Sequence, residues 1–329
     1  MPLDDQPSTA PSSTSRRDFL HQAVGLAACL GAAAPALGAP PAPVTAAPSD
    51  KQDPLLPTVN VGKHSVTRLI IGGNPIYGYS HFNKLLSQHM TDWHTPERVV
   101  ALLKRCEQAG VNCWQNSYAE RTLQDLERYR EDGGKMLWLC LGKPDWDEHP
   151  DRIEDAAKHK PIGIAPHGAL GEKLHRAKKF DVLADLLKRI HDQGVLAGLS
   201  AHNPALIELA EDKGWEVDYY MCCMYYLTRP RDEFQKILGT DLPLGEIYLP
   251  ADPPRMLKVV RAVKKPCLVY KVLAAGRRIS SKAEVRECFK TALDNIKSSD
   301  AMIVGMYQQF GDQVGENAAA VRELCAAPR

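Results

Sequence analysis

The chain has 329 residues, 44% of them hydrophobic and 25% charged, with 41 Lys+Arg against 40 Asp+Glu. That near-neutral balance argues against a nucleic-acid-binding protein, which would carry a basic excess on one face, and the apolar share argues against disorder along the whole chain. No run of about 18 apolar residues predicts a membrane span, and nine cysteines cannot all pair within one chain.

Residues 1–39 read as an export signal. Ser15-Arg16-Arg17-Asp18-Phe19-Leu20 precedes a mildly apolar Ala/Gly stretch from Ala23 to Ala34, with small residues around Ala36-Leu37-Gly38-Ala39. This order resembles a twin-arginine signal, which would deliver the folded protein to the periplasm or outside the cell. Leu26-Ala27-Ala28-Cys29 offers an alternative lipoprotein box with Cys29 as a lipid anchor; the apolar stretch before it is short, so ordinary cleavage is the preferred reading. Residues 40–57 read as a disordered Pro/Ala-rich linker. A chain that folds before export can keep buried free thiols, as expected for Cys106, Cys113, Cys140, Cys222, Cys223, Cys267, Cys288 and Cys325.

Residues 58–329 alternate strand and helix. A hairpin is predicted from Val59–Val61 and His64–Thr67 around Gly62-Lys63, then a strand at Arg68–Gly73. A helix follows over Pro96–Gln108, capped by Thr95 and stopped at Gly110. The second to fourth strands are read at Val111–Gln115, Lys135–Leu141 and Pro161–Pro166, with helices at Arg121–Glu131 and Asp151–His159. One long helix is expected over Leu174–Gln193, then a strand at Val195–Leu199 and a helix to Lys213. Val217–Tyr226 is the sixth strand, and helices at Arg231–Leu238 and Arg255–Lys264 flank a Pro/Gly-rich insertion. Cys267–Leu273 and Ala301–Met306 complete the strands, followed by helices at Lys282–Lys297 and Gln313–Leu324. The strands are continuous apolar runs, as parallel strands covered on both faces require. Eight βα units in about 270 residues predict a (β/α)8 TIM barrel behind a short N-terminal hairpin. A doubly wound sheet ranks second, because Gly72-Gly73-Asn74-Pro75 is not the Gly-rich dinucleotide fingerprint.

Barrel chemistry sits at the C-terminal strand ends. Those ends offer Asn74, Tyr77, Tyr79 and His81 after strand one, and Gln115, Asn116, Tyr118 and Glu120 after strand two. Lys143 follows strand three, His167 strand four, and His202 with Asn203 strand five; Lys271 lies near the end of strand seven. Lys, His and a Glu or Tyr at one mouth can move protons at neutral pH, because a lysine ammonium stabilises an oxyanion and an imidazole gives or takes a proton. Such a set suits a substrate with a carbonyl or several hydroxyls. Asn74, Tyr77, Gln115, Asn116, His202 and Lys271 are the candidate substrate contacts. The remaining histidines, His64, His89, His94, His149, His159, His175 and His191, read as surface or helix residues. His167, His202 and Glu246 come from different loops without metal spacing, so no metal site is assigned.

Five segments in order resemble the aldo/keto reductases. They are Val61-Gly62-Lys63-His64-Ser65-Val66 before Leu69-Ile70-Ile71-Gly72, Ala109-Gly110-Val111-Asn112, Gly198 to Pro204, Tyr270 to Gly276, and Val314 with Glu316-Asn317. The resemblance implies a catalytic Asp, Tyr, Lys and His. Lys143 and His167 match the Lys and His; Gln115 stands at the Asp position and Glu120 at the Tyr position, with Tyr118 two residues out of register. The implied cofactor is NAD(P), with Ser200, Gln313 and Asn317 as the residues left to bind it, but the cradle is eroded: Ala201 replaces the Asn after Ser200, and Gln313 replaces a basic residue.

Three functions follow. The first is an exported enzyme doing Lys143/His167/Glu120 acid–base chemistry on a carbonyl-bearing or sugar-like substrate, as an isomerase, epimerase or lyase. The second is an NAD(P)-dependent oxidoreductase exported with tightly bound cofactor. The third is a non-catalytic carbohydrate-binding protein, since fold does not fix function. The expected partners are a small molecule and the twin-arginine translocation machinery.

Overall fold

The computed structural model describes residues 52–326. The readings placed on the signal, its cleavage site, Cys29 and most of the linker lie outside the described residues.

Valines alternate with polar residues through β1 (Thr58–Val61) and β2 (His64–Thr67), which form an antiparallel hairpin. Gly62 turns its corner at φ +57, and a Cβ there would lie 2.7 Å from Leu196 Cδ2. Val59, Val61 and Val66 join the apolar cluster that fills the barrel interior, so the hairpin plugs the barrel floor.

Eight parallel strands close the barrel: β3 (Leu69–Gly72), β4 (Cys113–Ser117), β5 (Leu137–Leu141), β6 (Gly163–Ala165), β7 (Leu196–Ala201), β8 (Tyr219–Cys223), β9 (Cys267–Tyr270) and β10 (Ala301–Gly305). They pair in chain order and β10 closes on β3. This is the predicted (β/α)8 barrel.

Side chains alternate across each strand. Ile70, Cys113, Leu139, Tyr219, Met221, Leu268 and Ile303 point inward; Ile71, Trp114, Trp138, Tyr220, Cys222 and Met302 point to the helical layer. Tyr219 is the largest fully buried side chain of the barrel interior, and two glycines make room for its ring: a Cβ on Gly198 would lie 2.3 Å from Tyr219 Cζ, and one on Gly163 2.8 Å from Cε1. The eight described cysteines are all free, and seven are buried.

The outer layer comprises α1 (Lys84–Trp93), α2 (Pro96–Gln108), α3 (Glu120–Glu131), α4 (Arg152–Lys158), α5 (Gly168–Arg176), α6 (Phe180–His191), α7 (Pro204–Asp212), α8 (Arg231–Leu238), α9 (Asp252–Ala262), α10 (Lys282–Asn295) and α11 (Gln313–Ala326). The α6 stripe of Leu183, Leu186, Leu187 and Ile190 shows the rule: positions three and four apart share one buried face. Each such side chain contributes about 1.5–3 kcal/mol by burial. No helix among the described residues is long and apolar enough to cross a membrane.

The structure corrects several boundaries. The single helix expected over 174–193 is two helices, broken where Lys178 takes the left-handed φ of +56. The first of them starts six residues earlier than expected, directly behind His167, in a Gly168-Ala169-Leu170-Gly171 run whose glycines disfavour helix. Helix α1 was not expected; none of its residues is fully buried, but Leu86, Met90 and Trp93 recur at helical spacing and are half-buried, a short stripe that the sequence reading missed. The sixth barrel strand ends at Cys223 rather than Tyr226. His94, expected as a surface or helix residue, is fully buried at the end of α1, with its ring 4.7 Å from Trp93 and 5.3 Å from Tyr307.

Candidate active site

Strands β5, β6, β7 and β9 deliver Lys143, His167, Ser200 with His202, and Tyr270 with Lys271 to the C-terminal mouth. His167 caps α5: its Nδ1 accepts from the Ala169 N–H at 3.1 Å. That bond places the ring proton on Nε2 and leaves Nε2–H as a donor. Burial pushes the His167 pKa down to about 4, and the charges of His202, Lys143 and Lys271 push the same way against Glu172. His167 is therefore a neutral imidazole at pH 7, suited to polarise a carbonyl oxygen rather than to protonate it outright. Lys143 is half-buried, and among the described residues no carboxylate pairs with it.

Glu172, on α5, holds the next loop in place. Its carboxylate accepts the backbone N–H groups of His202 at 2.5 Å and Asn203 at 2.7 Å, and the Thr228 hydroxyl. Burial opposes its ionisation, but the hydrogen bonds from His202, Thr228 and Asn203 win and hold its pKa below the usual carboxylate range. His202 Nδ1 lies 3.5 Å from the same carboxylate, and the ring packs edge-on against Tyr270, centroids 5.9 Å apart. Ser200 Oγ lies 3.4 Å from the Tyr270 hydroxyl. Gly168 makes this crowding possible: a Cβ there would sit 3.0 Å from the His202 ring and 3.3 Å from Ser200 Oγ.

A second group covers the opposite side of the mouth. Lys271 Nζ lies 2.8 Å from His81 Nε2, which the Asn74 amide also meets at 3.0 Å. His81 Nδ1 lies 2.7 Å from Glu246 Oε1, and Tyr248 donates to Glu246 Oε2 at 2.7 Å. Burial works against the Glu246 charge, yet His81, Tyr248 and Lys271 bring its pKa down to about 2. Burial also lowers the Lys271 pKa. Both His81 and Lys271 have left-handed backbones, φ +60 and +61, a conformation that costs about 1 kcal/mol or more for each non-glycine residue. Glu246 and Tyr248 belong to the Pro/Gly-rich insertion between α8 and α9. Arg277 fastens that insertion: its guanidinium lies 4.0 Å from the Tyr248 ring centre and 4.2 Å from that of Phe82, and it donates to the His81 carbonyl at 3.0 Å.

Of the residues singled out in the sequence, Lys143, His167, Ser200, His202, Lys271 and Asn74 meet at this mouth. Gln115 joins them by alternation, since Cys113 points inward and Trp114 outward. The others do not. Tyr77 stacks on Trp114 in the outer layer, and its hydroxyl donates to Asp125 on α3 at 3.3 Å. Asn116 points outward too and accepts from the Trp138 indole at 2.5 Å. Glu120 is exposed at the start of α3 and its carboxylate meets Gln124 at 3.3 Å; Tyr118 packs edge-on against Trp146, centroids 5.8 Å apart. Lys143 and His167 thus lack the Glu or Tyr expected beside them. Sequence reasoning missed Glu172 and Tyr270 as site residues and left Glu246 among three unconnected loop residues. The missed start of α5 hid Glu172, and the pairing of Glu246 with His81 spans 165 positions.

The cofactor residues do not fit the group that the family resemblance implies. Gln313 Oε1 accepts from the Tyr307 N–H at 2.8 Å. The free amides at the start of α11, the natural anion seat, are taken by side chains: Gln308 holds Val314 N–H at 3.1 Å and Asp312 holds Gly315 N–H at 3.1 Å. Asp312 also pairs with Arg105 at 2.6 Å, so a carboxylate stands where a nucleotide phosphate would bind. Asn317 is buried within α11, and Ser200 is engaged with Tyr270.

No family model and no curated protein matches the chain. Among solved structures it is similar to a truncated 3-deoxy-D-arabino-heptulosonate 7-phosphate synthase from Thermotoga maritima, at 12% identity over 82% of this chain and 91% of that one, with a TM-score of 0.49. It is also similar to the glycerol dehydrogenase from Gluconobacter oxydans, at 11% identity over 83% of this chain and 97% of that one, with a TM-score of 0.49. These likenesses are to barrels and assign no activity.

Proposed function

We propose that the protein is a barrel enzyme that moves protons on a small carbonyl-bearing or sugar-like substrate, as an isomerase, epimerase or lyase does. The observation that carries this reading is the meeting of Lys143, Lys271 and the neutral His167 at the C-terminal mouth. The substrate oxygen accepts from His167 Nε2–H and from the Lys143 ammonium. Both donors stabilise the negative charge that builds on that oxygen when a neighbouring carbon gives its proton to the His81–Lys271 pair. Glu120 has no part in this step, because its carboxylate is exposed and engaged with Gln124.

Export through the twin-arginine route, read from Arg16-Arg17, belongs to the same proposal. So does kinship with the aldo/keto reductases with the nicotinamide reaction lost, which the occupied α11 amides and Asp312 support. Conversion of aldoses, ketoses and sugar acids, followed by chromatography without added nicotinamide, tests the reading. Turnover by wild type that falls in K143A and H167A supports it. Conversion that these two changes leave untouched contradicts it.

A further inference from the structure

We propose that Lys271 is an amine nucleophile that forms an imine with the carbonyl carbon of a small aldehyde or ketone, with His81 as its base and Glu246 as the carboxylate that orients that base. The inference rests on the reading of a carbonyl-bearing substrate and adds a covalent step to it.

The arrangement has the three parts that an activated nucleophile needs. Lys271 Nζ is within hydrogen-bond reach of an imidazole nitrogen, at 2.8 Å. The other nitrogen of that ring is held by a carboxylate, at 2.7 Å. With Glu246 accepting from Nδ1–H, Nε2 is the acceptor, and it receives both the lysine and the Asn74 amide. An ordinary ion pair would put the ammonium on the carboxylate itself. Here an imidazole, which can take a proton and return it, stands between them.

Burial of Lys271 favours the free amine, the form that attacks. The position is imposed by the fold. Both His81 and Lys271 hold left-handed backbones, and such strain persists only where surrounding contacts over-determine it. Arg277 supplies those contacts by binding the His81 carbonyl and the Tyr248 ring together.

The step balances as follows. The Lys271 nitrogen lone pair forms a C–N bond to the carbonyl carbon, and the C=O π pair moves to oxygen. His81 Nε2 takes the proton released from nitrogen, while His167 Nε2–H and Lys143 stabilise the oxyanion. The oxygen takes that proton back from His81 and a second from the Lys143 ammonium, and leaves as water, giving the protonated imine. No oxidant or reductant takes part. The iminium then draws electrons from the adjacent carbon, which eases loss of a proton or cleavage of a bond there.

The test is reductive trapping of the wild-type chain. Dihydroxyacetone and pyruvate are the probes, each in D2O with and without sodium cyanoborohydride, whose hydride reduces the imine to a stable secondary amine. Intact mass gives the extent of labelling, peptide mapping gives the site, and NMR follows deuterium exchange beside the carbonyl. The expected result is one adduct per chain, on Lys271, absent in K271R. H81Q slows labelling by about tenfold or more, and E246Q does so with recovery in E246D, which keeps the orienting carboxylate. Labelling of wild type does not depend on whether any variant folds. Labelling spread over surface lysines overturns the proposal, as does no adduct from either probe. If deuterium exchange persists without an adduct, only the covalent step falls. If Lys271 is labelled but no exchange occurs, the covalent step stands and the proton-transfer reading falls. If neither is seen, both fall.

Discussion

His81 Nε2 lies 2.8 Å from Lys271 Nζ across 190 positions of sequence. The contact ties the loop after β3 to the end of β9, and Glu246 ties the insertion to both through the other ring nitrogen. Arg277, between the rings of Phe82 and Tyr248, is the fastener. R277A removes two cation–π contacts worth about 0.5–2 kcal/mol each. The insertion, residues 239–251, should then be cut by chymotrypsin after Leu244 or Tyr248 about tenfold faster, and KM should rise. Unchanged cleavage would show that the insertion is held by other contacts.

Gly168 is small because His202 and Ser200 press on it. In G168A the added Cβ meets the His202 ring at 3.0 Å, so the ring must shift. Alanine suits the first turn of α5 better than glycine does. The melting temperature should therefore stay within a few degrees of wild type while kcat falls by about tenfold or more, through displaced geometry. Equal kcat in the variant would place His202 outside the working site.

Tyr219 fills the barrel interior, and its hydroxyl has no hydrogen-bond partner among the described residues. Leaving a buried hydroxyl unpaired costs about 1–3 kcal/mol. Y219F should be as stable as wild type or more stable by about 1 kcal/mol in urea denaturation. G198A places a methyl group 2.3 Å from the ring and should lose about 1–3 kcal/mol or more by overpacking.

How much of this was legible in the sequence depends on how local the signal is. The eight strands and the hairpin are written as short apolar runs closed by Gly and Pro, and they fall within a few residues of expectation. Thr95 and Pro96 mark the α2 start correctly because a cap is a local contact: Thr95 accepts from the Arg98 N–H. The places of Lys143 and His167 at the mouth were legible because each follows a barrel strand directly. Tyr77, Asn116 and Glu120 show the limit. Each follows a strand end, but whether its side chain turns inward depends on pairing register and on partners such as Trp138 and Asp125. The His81–Glu246 contact joins two loops that nothing in either segment links.

Stability should fall with acid through a buried histidine. His94 is fully buried at the end of α1, its Nδ1 within 2.8 Å of the Met90 carbonyl, and burial lowers its pKa from 6.5 to about 4. The unfolded chain therefore binds this proton before the folded one does. The stability is fully present above pH 6.5 and is lost as pH falls from 6.5 toward 4, by about 3 kcal/mol in all. His167 adds to the same window. Urea midpoints at pH 7, 5.5 and 4.5 should drop steadily for wild type and less steeply for H94Q. Identical slopes would show that His94 protonates alike in both states.

The most direct test of proton transfer at this mouth is solvent deuterium exchange. Dihydroxyacetone and a series of aldoses and ketoses are incubated with the protein in D2O, and the hydrogen beside the carbonyl is followed by proton NMR. The expected result is enzyme-dependent loss of that signal for at least one of them, slowed by about 100-fold or more in K143A and in H167A. Wild-type exchange no faster than in buffer for every compound, or equal rates in wild type and both variants, would contradict it.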